Sequence, residues 1–335
     1  MEKDKIKVTV IVATYNQEDT ISRTLDSILV QDIDFNMEII IGDDASTDST
    51  GDICRNYQER YPDIIRYIRN DINKGVRDNY IDCVLEARGE YIADLAGDDF
   101  WIRKDKLKRE VAVLDQQKDV VLVCTDWFYF EEDKKILSSP WDNKTYPFTA
   151  LFNDPKITER LLSHLHPVPV HLCTALYRKN VFEKIYKENT DFFRNREWLM
   201  EDFQLVVLMS HEGRFQYLDI PSLGYSVNNK SITGNPDFRK RFDLYYSSLK
   251  LTYDLAQRLG ISHEKLEDTY RGLLHYITMQ AFHGFDKSRM QEVRKLIKER
   301  NIKPRIKTAI ILGLSRGKAI WETSRKTWQK LKSTR

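Results

Sequence analysis

Three of the adjacent acid pairs in this 335-residue chain stand at the end of a strand-like run or the start of a helical one: Asp43-Asp44, Asp98-Asp99 and Glu201-Asp202. Neighbouring carboxylates repel, so such pairs are costly unless a cation or hydrogen-bond donors resolve the repulsion. A few carboxylate oxygens are the ligand set of Mg²⁺ or Mn²⁺ shared with the phosphates of a substrate. Asp98-Asp99 closes the run Tyr-Ile-Ala-Asp-Leu-Ala-Gly-Asp-Asp-Phe-Trp over 91–101. Gly-Asp-Asp is also common turn chemistry, and a solvated turn accounts for it when nothing else accompanies it. Glu201-Asp202 opens an apolar helical run, where negative charge is stabilised by the helix dipole; simple capping explains it on local pattern.

The elements that carry these acids repeat a simple order. The β-branched run over 8–13 predicts a buried strand that stops at Thr14-Tyr15-Asn16-Gln17. Asp19 is placed to cap a helix with Ile21, Leu25, Ile28 and Leu29 on one face. A second strand over 38–41 runs into Gly42-Asp43-Asp44-Ala45-Ser46-Thr47-Asp48, and a helix follows with Ile53, Tyr57 and Tyr61 inward. A strand over 64–68 and a turn over 70–75 lead to a helix over 76–87, with Ile81, Val84 and Leu85 inward and Gly89 as its C-cap. After the 91–101 stretch come a helix carrying Leu107, Val111 and Leu114 and a strand over 120–125. Alternating near-continuously apolar strands and helices predict an α/β fold, a mostly parallel sheet covered on both faces. Ligands of such sheets bind at the carboxyl ends of the strands, where Asp43-Asp44 and Asp98-Asp99 both fall.

The stretch 131–196 is rich in prolines and aromatics and is expected to shape a substrate site. It holds a possible strand over 172–177. His166 and His171 are expected in structural or substrate-contacting roles rather than as metal ligands, since no Cys or acid lies at ligand spacing. Strand and turn patterns over 215–227 end the α/β region. Helical patterns over 238–259, 263–285 and 289–300 follow, so the expected domains are 1–235 and 236–335.

Composition, 41% hydrophobic and 31% charged, is that of a soluble globular protein. Cys54, Cys83, Cys124 and Cys173 form no Cys-x-x-Cys pair, which argues against a zinc or disulfide framework and for small buried apolar side chains. With no signal-peptide pattern and no span of about 20 apolar residues, the expected location is cytoplasmic. The net charge of +2 hides an asymmetry: from Lys303 onward ten Lys and Arg face one acid, Glu322. Ile310, Leu314, Trp321 and Trp328 share one face there if the helix is continuous. A basic, Trp-bearing helix predicts either an anionic membrane surface or a packing partner, and not a nucleic acid.

Together these motifs resemble the family 2 glycosyltransferases with the GT-A fold, of the bacterial surface-polysaccharide kind, over roughly 5–235. Val-Thr-Val-Ile-Val-Ala-Thr-Tyr-Asn is similar to the family's first strand and nucleotide-binding loop, and Ile-Gly-Asp-Asp-Ala-Ser-Thr-Asp to its second motif. The resemblance implies a Rossmann-like GT-A domain with a helical C-terminal region. It implies nucleotide contacts at Thr14, Tyr15, Asn16, Asp44, Gly75, Arg77 and Asp98, with Asp44 reading uracil. It implies Mn²⁺ or Mg²⁺ on Asp99 with Asp98 beside it, and Asp202 as catalytic base. The expected activity is inverting, metal-dependent transfer from a nucleotide-diphosphate sugar, a UDP-sugar first, to a hydroxyl of a glycan or lipid-linked acceptor. Capsule, exopolysaccharide or lipopolysaccharide assembly at the inner membrane face would be its setting.

Two departures stand out. Ala96 sits where many relatives have Asp, and the family's Tyr-Arg-x-His-x-x-Ser segment here is Tyr225-Ser226-Val227-Asn228-Asn229-Lys230-Ser231. A non-catalytic nucleotide-sugar-binding subunit is therefore the rival expectation. A sugar nucleotidyltransferase is a weaker one, because Thr-Tyr-Asn-Gln-Glu replaces a Gly-rich phosphate loop.

Overall fold

The computed structural model describes residues 5–139, 151–164, 170–227 and 237–323. The chain divides into two compact units. The first takes in Met1–Leu161, Leu165–Asn195 and Glu201–Asn228, and the second takes in Leu162–His164, Arg196–Met200 and Asn229–Arg335.

The first unit is built on a nine-stranded sheet: β1 Val8–Thr14, β2 Met37–Asp43, β3 Ile65–Arg69, β4 Tyr91–Ala96, β5 Phe100–Trp101, β6 Val120–Glu131, β7 Ile136–Ser138, β8 Leu176–Arg178 and β9 Arg214–Val227. Its order is β3-β2-β1-β4-β8-β6-β9-β5, with β7 paired to β6. β3, β2, β1 and β4 are parallel. β8 runs antiparallel between β4 and β6, and β6 and β9 are parallel to each other. The helices are α1 Ile21–Leu29, α2 Thr50–Arg60, α3 Val76–Glu86, α4 Lys106–Gln116, α5 Ile157–Leu162, α6 Lys179–Glu188, α7 Thr190–Phe193 and α8 Glu201–Glu212. The core joins Val8, Val10 and Val12 of β1 to Ile21, Leu25 and Ile28 of α1 and to Leu107, Val111 and Leu114 of α4, all buried. Each such side chain contributes about 1.5–3 kcal/mol by leaving water. All four cysteines are free and buried, as their small apolar character predicts.

Several local expectations are corrected. Thr20, not Asp19, precedes α1, and no side-chain cap bond forms there. The Thr20 hydroxyl instead donates to the Gly97 carbonyl at 2.8 Å. Leu85 faces solvent, because Tyr80, Ile81, Cys83 and Val84 occupy the inward side of α3. Gly89 is not a C-cap. It lies against the Thr9 backbone, where a Cβ would overlap the chain, and its N–H donates to Thr9 Oγ1 at 2.8 Å. The strand expected over 172–177 is a 3-10 turn, Leu172–Thr174, followed by β8.

The second unit is helical: α9 Phe238–Arg258, α10 Glu267–His283, α11 Lys287–Glu299 and α12 Ile306–Leu314. Asp237 and Asp286 cap α9 and α11 by accepting from Arg239 N (2.9 Å) and Arg289 N (3.1 Å). The single apolar stripe expected at the chain's end does not form. α12 stops at Leu314, and Trp321 is buried against Phe282 and Phe285, its Nε1 donating to the Phe282 carbonyl at 2.9 Å. Trp328 lies outside the described residues.

Candidate active site

Sheet register decides which loops meet. Thr14 pairs with Asp43, and Ala13 pairs with both Gly42 and Ala96. The loops after β1, β2 and β4 therefore leave the sheet side by side.

The first two loops are laced together. Asn16, at φ 51°, donates its N–H to Ser46 Oγ (3.0 Å) and accepts at Oδ1 from Thr47 N (2.8 Å). Gln17 N donates to Thr50 Oγ1 (2.8 Å), and Ser49 N to Glu18 Oε2 (2.9 Å). Asp44 N donates to the Thr14 carbonyl at 3.0 Å. Tyr15, between these laced residues, has 46% of its surface exposed.

The acidic pair on β2 is satisfied by the protein. Asp43 accepts from Ser46 N (2.8 Å), Tyr67 Oη (2.6 Å) and Arg69 Nη1 (2.7 Å). Asp44 accepts at Oδ1 from Asn70 Nδ2 (2.9 Å) and Lys74 N (2.8 Å), and at Oδ2 from Gly75 N (2.8 Å). A carboxylate has about four acceptor positions, so Asp44 organises the loop before α3 and keeps one position on Oδ2 for a ligand donor. Gly75, at φ 88°, turns its N–H toward that carboxylate in a conformation suited to glycine. Arg77 departs from expectation. Its side chain is buried, donating to Asp78 Oδ1 at 3.2 Å and to the Asn195 carbonyl, so it braces α3 inside the protein instead of lining these loops.

The pair after β4 is different. Gly97 brings the turn so close to the first loop that a Cβ would overlap Gln17 and come within 2.8 Å of Thr14 Oγ1. Asp99 is 1% exposed, accepts from Ser226 N at 2.8 Å and lies beside the Cys173 thiol. Burial first, then the adjacent Asp98 charge, push the Asp99 carboxyl well above the usual carboxylate range. Burial likewise raises the half-buried Asp98. Among the described residues no Lys or Arg forms an ion pair with either carboxylate. The nearby Arg23 spends its charge on Glu132 Oε1 (2.5 Å) and reaches the Asp98 carbonyl (2.9 Å) and Ser226 Oγ (3.0 Å). Two hard carboxylates eased only by the Arg23 charge, with no direct basic partner among the described residues, fit a divalent cation that takes its remaining ligands from substrate phosphate and water. Asp99 and Asp98 are the residues to hold it; among the described residues no cluster of three or more ligating side chains forms a self-contained cage.

Asp202 is the second residue of α8 and is half-buried. Burial raises its carboxyl above the ordinary value, against the pull of the Phe203 and Asp202 backbone N–H groups. Only Gly213 separates α8 from β9, whose start pairs with Val120 of β6, and α8 packs on β6. A twelve-residue helix rises about 18 Å, as far as five or six residues of strand. The start of α8 is thus level with residues 125–126 of β6. Through β8, which pairs Ala93 and Val123 with the same Leu176, that level is 95–96 of β4. Asp202 therefore belongs to the rim that carries the other acids.

Sequence reasoning missed Arg23, Glu132 and Cys173, which meet the acidic turn from three separate segments. A spacing signal marks none of them. His171 is half-buried, its ring against Trp127 and Tyr225, and burial alone pulls its imidazole down to about 4. His166, Asn228 and Lys230 lie outside the described residues.

Polar loops and an acidic turn on one rim of a mixed, mainly parallel sheet are the arrangement of a GT-A fold. The profile of glycosyl transferase family 2 matches residues 9–186, and the chain belongs to that family. The chain is 36% identical over 137 residues to an Escherichia coli protein, UDP-Glc:alpha-D-GlcNAc-diphosphoundecaprenol beta-1,3-glucosyltransferase WfaP, covering 40% of this chain and 51% of that one. The chain spans 25% to 53% of the length of the curated relatives it matches. Its fold is that of Staphylococcus aureus TarS 1-349 in complex with UDP-GlcNAc (TM-score 0.62, 18% identity, 97% of this chain and 92% of that one). It also resembles the mannosyltransferase PcManGT of Pyrobaculum calidifontis in complex with GDP-Man and Mn²⁺ (TM-score 0.52, 16% identity, 96% and 84%).

Proposed function

We propose that the protein transfers a sugar, with inversion, from a UDP-sugar to a hydroxyl of a glycan or lipid-linked glycan in cell-surface polysaccharide synthesis. The observation that carries this reading is the meeting of the Asp98-Asp99 turn with the Thr14–Gln17 loop through Gly97. A donor base on the Tyr15 and Asp44 side then has its diphosphate beside the acidic turn. WfaP and TarS, by the names given above, act on or bind UDP-sugars, which supports uridine as the base.

Mn²⁺ or Mg²⁺ on Asp99 and Asp98 would supply Lewis-acid stabilisation of the leaving diphosphate. The chain's own residues do the rest. Thr14, Asn16 and Gly75 shape a nucleotide cradle, the remaining position on Asp44 Oδ2 accepts from the base, and Tyr15 packs on it. Asp202 takes the proton of the acceptor hydroxyl, a weak nucleophile that needs a base within hydrogen-bond reach. One base and no second carboxylate placed as a nucleophile correspond to a single displacement. The basic end of the chain faces an anionic membrane surface, where a lipid-linked acceptor would reside.

The test is a panel of UDP-, GDP- and dTDP-sugars with Mn²⁺, with and without EDTA, following nucleotide release, beside calorimetry with UDP and Mn²⁺. Metal-dependent release from one UDP-sugar supports the reading. Failure to bind any nucleotide with Mn²⁺ refutes it.

A further inference from the structure

Three of the large apolar side chains left exposed lie between 306 and 320: Ile306 (81%), Ile310 (56%) and Ile320 (57%). Two of them belong to α12, Ile-Lys-Thr-Ala-Ile-Ile-Leu-Gly-Leu, a helix with a single charge. Its inward side is fixed by Thr308, which is fully buried and hydrogen-bonded to His275 Nδ1 of α10 at 3.0 Å. Arg294 of α11 pins its end by donating to the Leu312 carbonyl (2.7 Å) and Ser315 Oγ (2.8 Å). At 3.6 residues per turn, Ala309, Gly313, Ile306 and Ile310 then form the opposite face, and all four are exposed. A helix lying on a water-facing surface normally turns polar residues outward. Here the outward face is apolar, and cations surround it: Lys303 and Arg305 before the helix, Lys307 within it, Arg316 and Lys318 after it, all exposed. Glu322 is the one acid from Lys303 onward.

An outward apolar stripe ringed by cations is the pattern of a helix lying in the plane of an anionic bilayer. Among the described residues no helix is long and apolar enough to cross a membrane, so the contact is interfacial. We propose that α12 lies in the headgroup layer of an anionic membrane, with Ile306, Ile310 and Ile320 inserted and the flanking cations on lipid phosphates. Arg305 pairs with Asp268 at 3.2 Å, but Lys303, Lys307, Arg316 and Lys318 form no ion pair among the described residues, a net basic surround that a second copy of the same face would repel. The proposal deepens the reading of a membrane-facing basic end by assigning insertion to these isoleucines.

The experiment is co-sedimentation of the full chain with vesicles of phosphatidylglycerol and phosphatidylcholine, against phosphatidylcholine alone, at rising salt. Wild type is expected to bind the anionic vesicles only, and less as salt increases. Ile306→Glu with Ile310→Glu is expected to weaken binding at least tenfold while UDP and Mn²⁺ binding and the circular dichroism spectrum are unchanged. Should that pair fail to fold, Ile310→Ser serves the same comparison. Undiminished vesicle binding by the isoleucine variants overturns insertion but leaves attraction by the basic end intact. Absence of vesicle binding by wild type overturns both, and a dimer that the same variants dissociate would then identify a second copy as the cover.

Discussion

The Ser226 N–H donates to Oδ1 of Asp99 at 2.8 Å, and the Ser226 hydroxyl reaches the neighbouring Asp98 carbonyl at 2.5 Å. One residue of β9 thus grips both members of the acidic turn. It is a small polar residue, so its grip on the turn brings no positive charge.

On the proposed reading, Asp99 is a buried carboxylate held for a metal at a cost to the empty protein. Asp99→Asn keeps the shape and removes the charge. It should raise the melting temperature in EDTA and abolish the gain that wild type shows with UDP and Mn²⁺, both measured by thermal shift. The sign follows from its raised folded pKa: between the ordinary carboxylate value and that raised value, the folded state binds the extra proton, so wild type gains stability as pH falls. The advantage of the Asn variant in EDTA should shrink accordingly toward acid pH. A variant less stable than wild type throughout would oppose this account.

Arg23 is a positioning residue. Its guanidinium sits 4.4 Å from the Phe100 ring centroid and 4.9 Å from that of Phe130. Burial opposes ionisation of Glu132, but Arg23 and Lys135 outweigh it and hold that carboxyl down at about 2. Arg23→Ala should raise the Mn²⁺ concentration needed for half-maximal activity about 10- to 100-fold, the usual range for residues supporting metal ligands. UDP binding in EDTA should be unchanged, and Arg23→Lys should recover part of the metal affinity. Equal losses in metal and nucleotide binding would indicate general damage instead.

Gly97→Ala places a methyl group against Gln17 and Thr14 Oγ1. The loops must separate, which costs about 1–3 kcal/mol of stability in a packed region. Nucleotide affinity should fall with it by calorimetry, whereas Gly272→Ala, in open space inside α10, should leave nucleotide affinity unchanged and raise stability by about 0.5–1 kcal/mol.

Asp202→Asn separates the enzyme from a binding subunit. Turnover should fall about 10²- to 10⁴-fold, the range expected for a general base, with UDP and Mn²⁺ binding retained. Because burial raises the Asp202 carboxyl, kcat/KM of wild type should decline as pH drops through that raised value, and the variant should lack this limb. Turnover unaffected by the substitution would remove Asp202 from catalysis.

The α/β order, the strand ends and the acidic pairs were legible in the sequence because each rests on local periodicity and on residue types with few uses. Val8 to Val12 could only be a buried strand, and the helices with Leu25 and Leu107 show their inward faces in one dimension. Tertiary structure decided what those acids do. The same Asp-Asp pattern is satisfied by Tyr67, Arg69, Asn70 and three backbone N–H groups at 43–44, and left to backbone N–H groups and a thiol at 98–99. Arg77 looked available beside a glycine turn and proved to be buried. Trp321 could have been a membrane contact or a packing residue and proved to be core, while Ile306 and Ile310 are exposed. Which donors reach a carboxylate, and which face of a helix is covered, depend on segments up to about two hundred residues away in the chain. Spacing along a sequence carries no record of those encounters, because side-chain partners are chosen by packing in three dimensions.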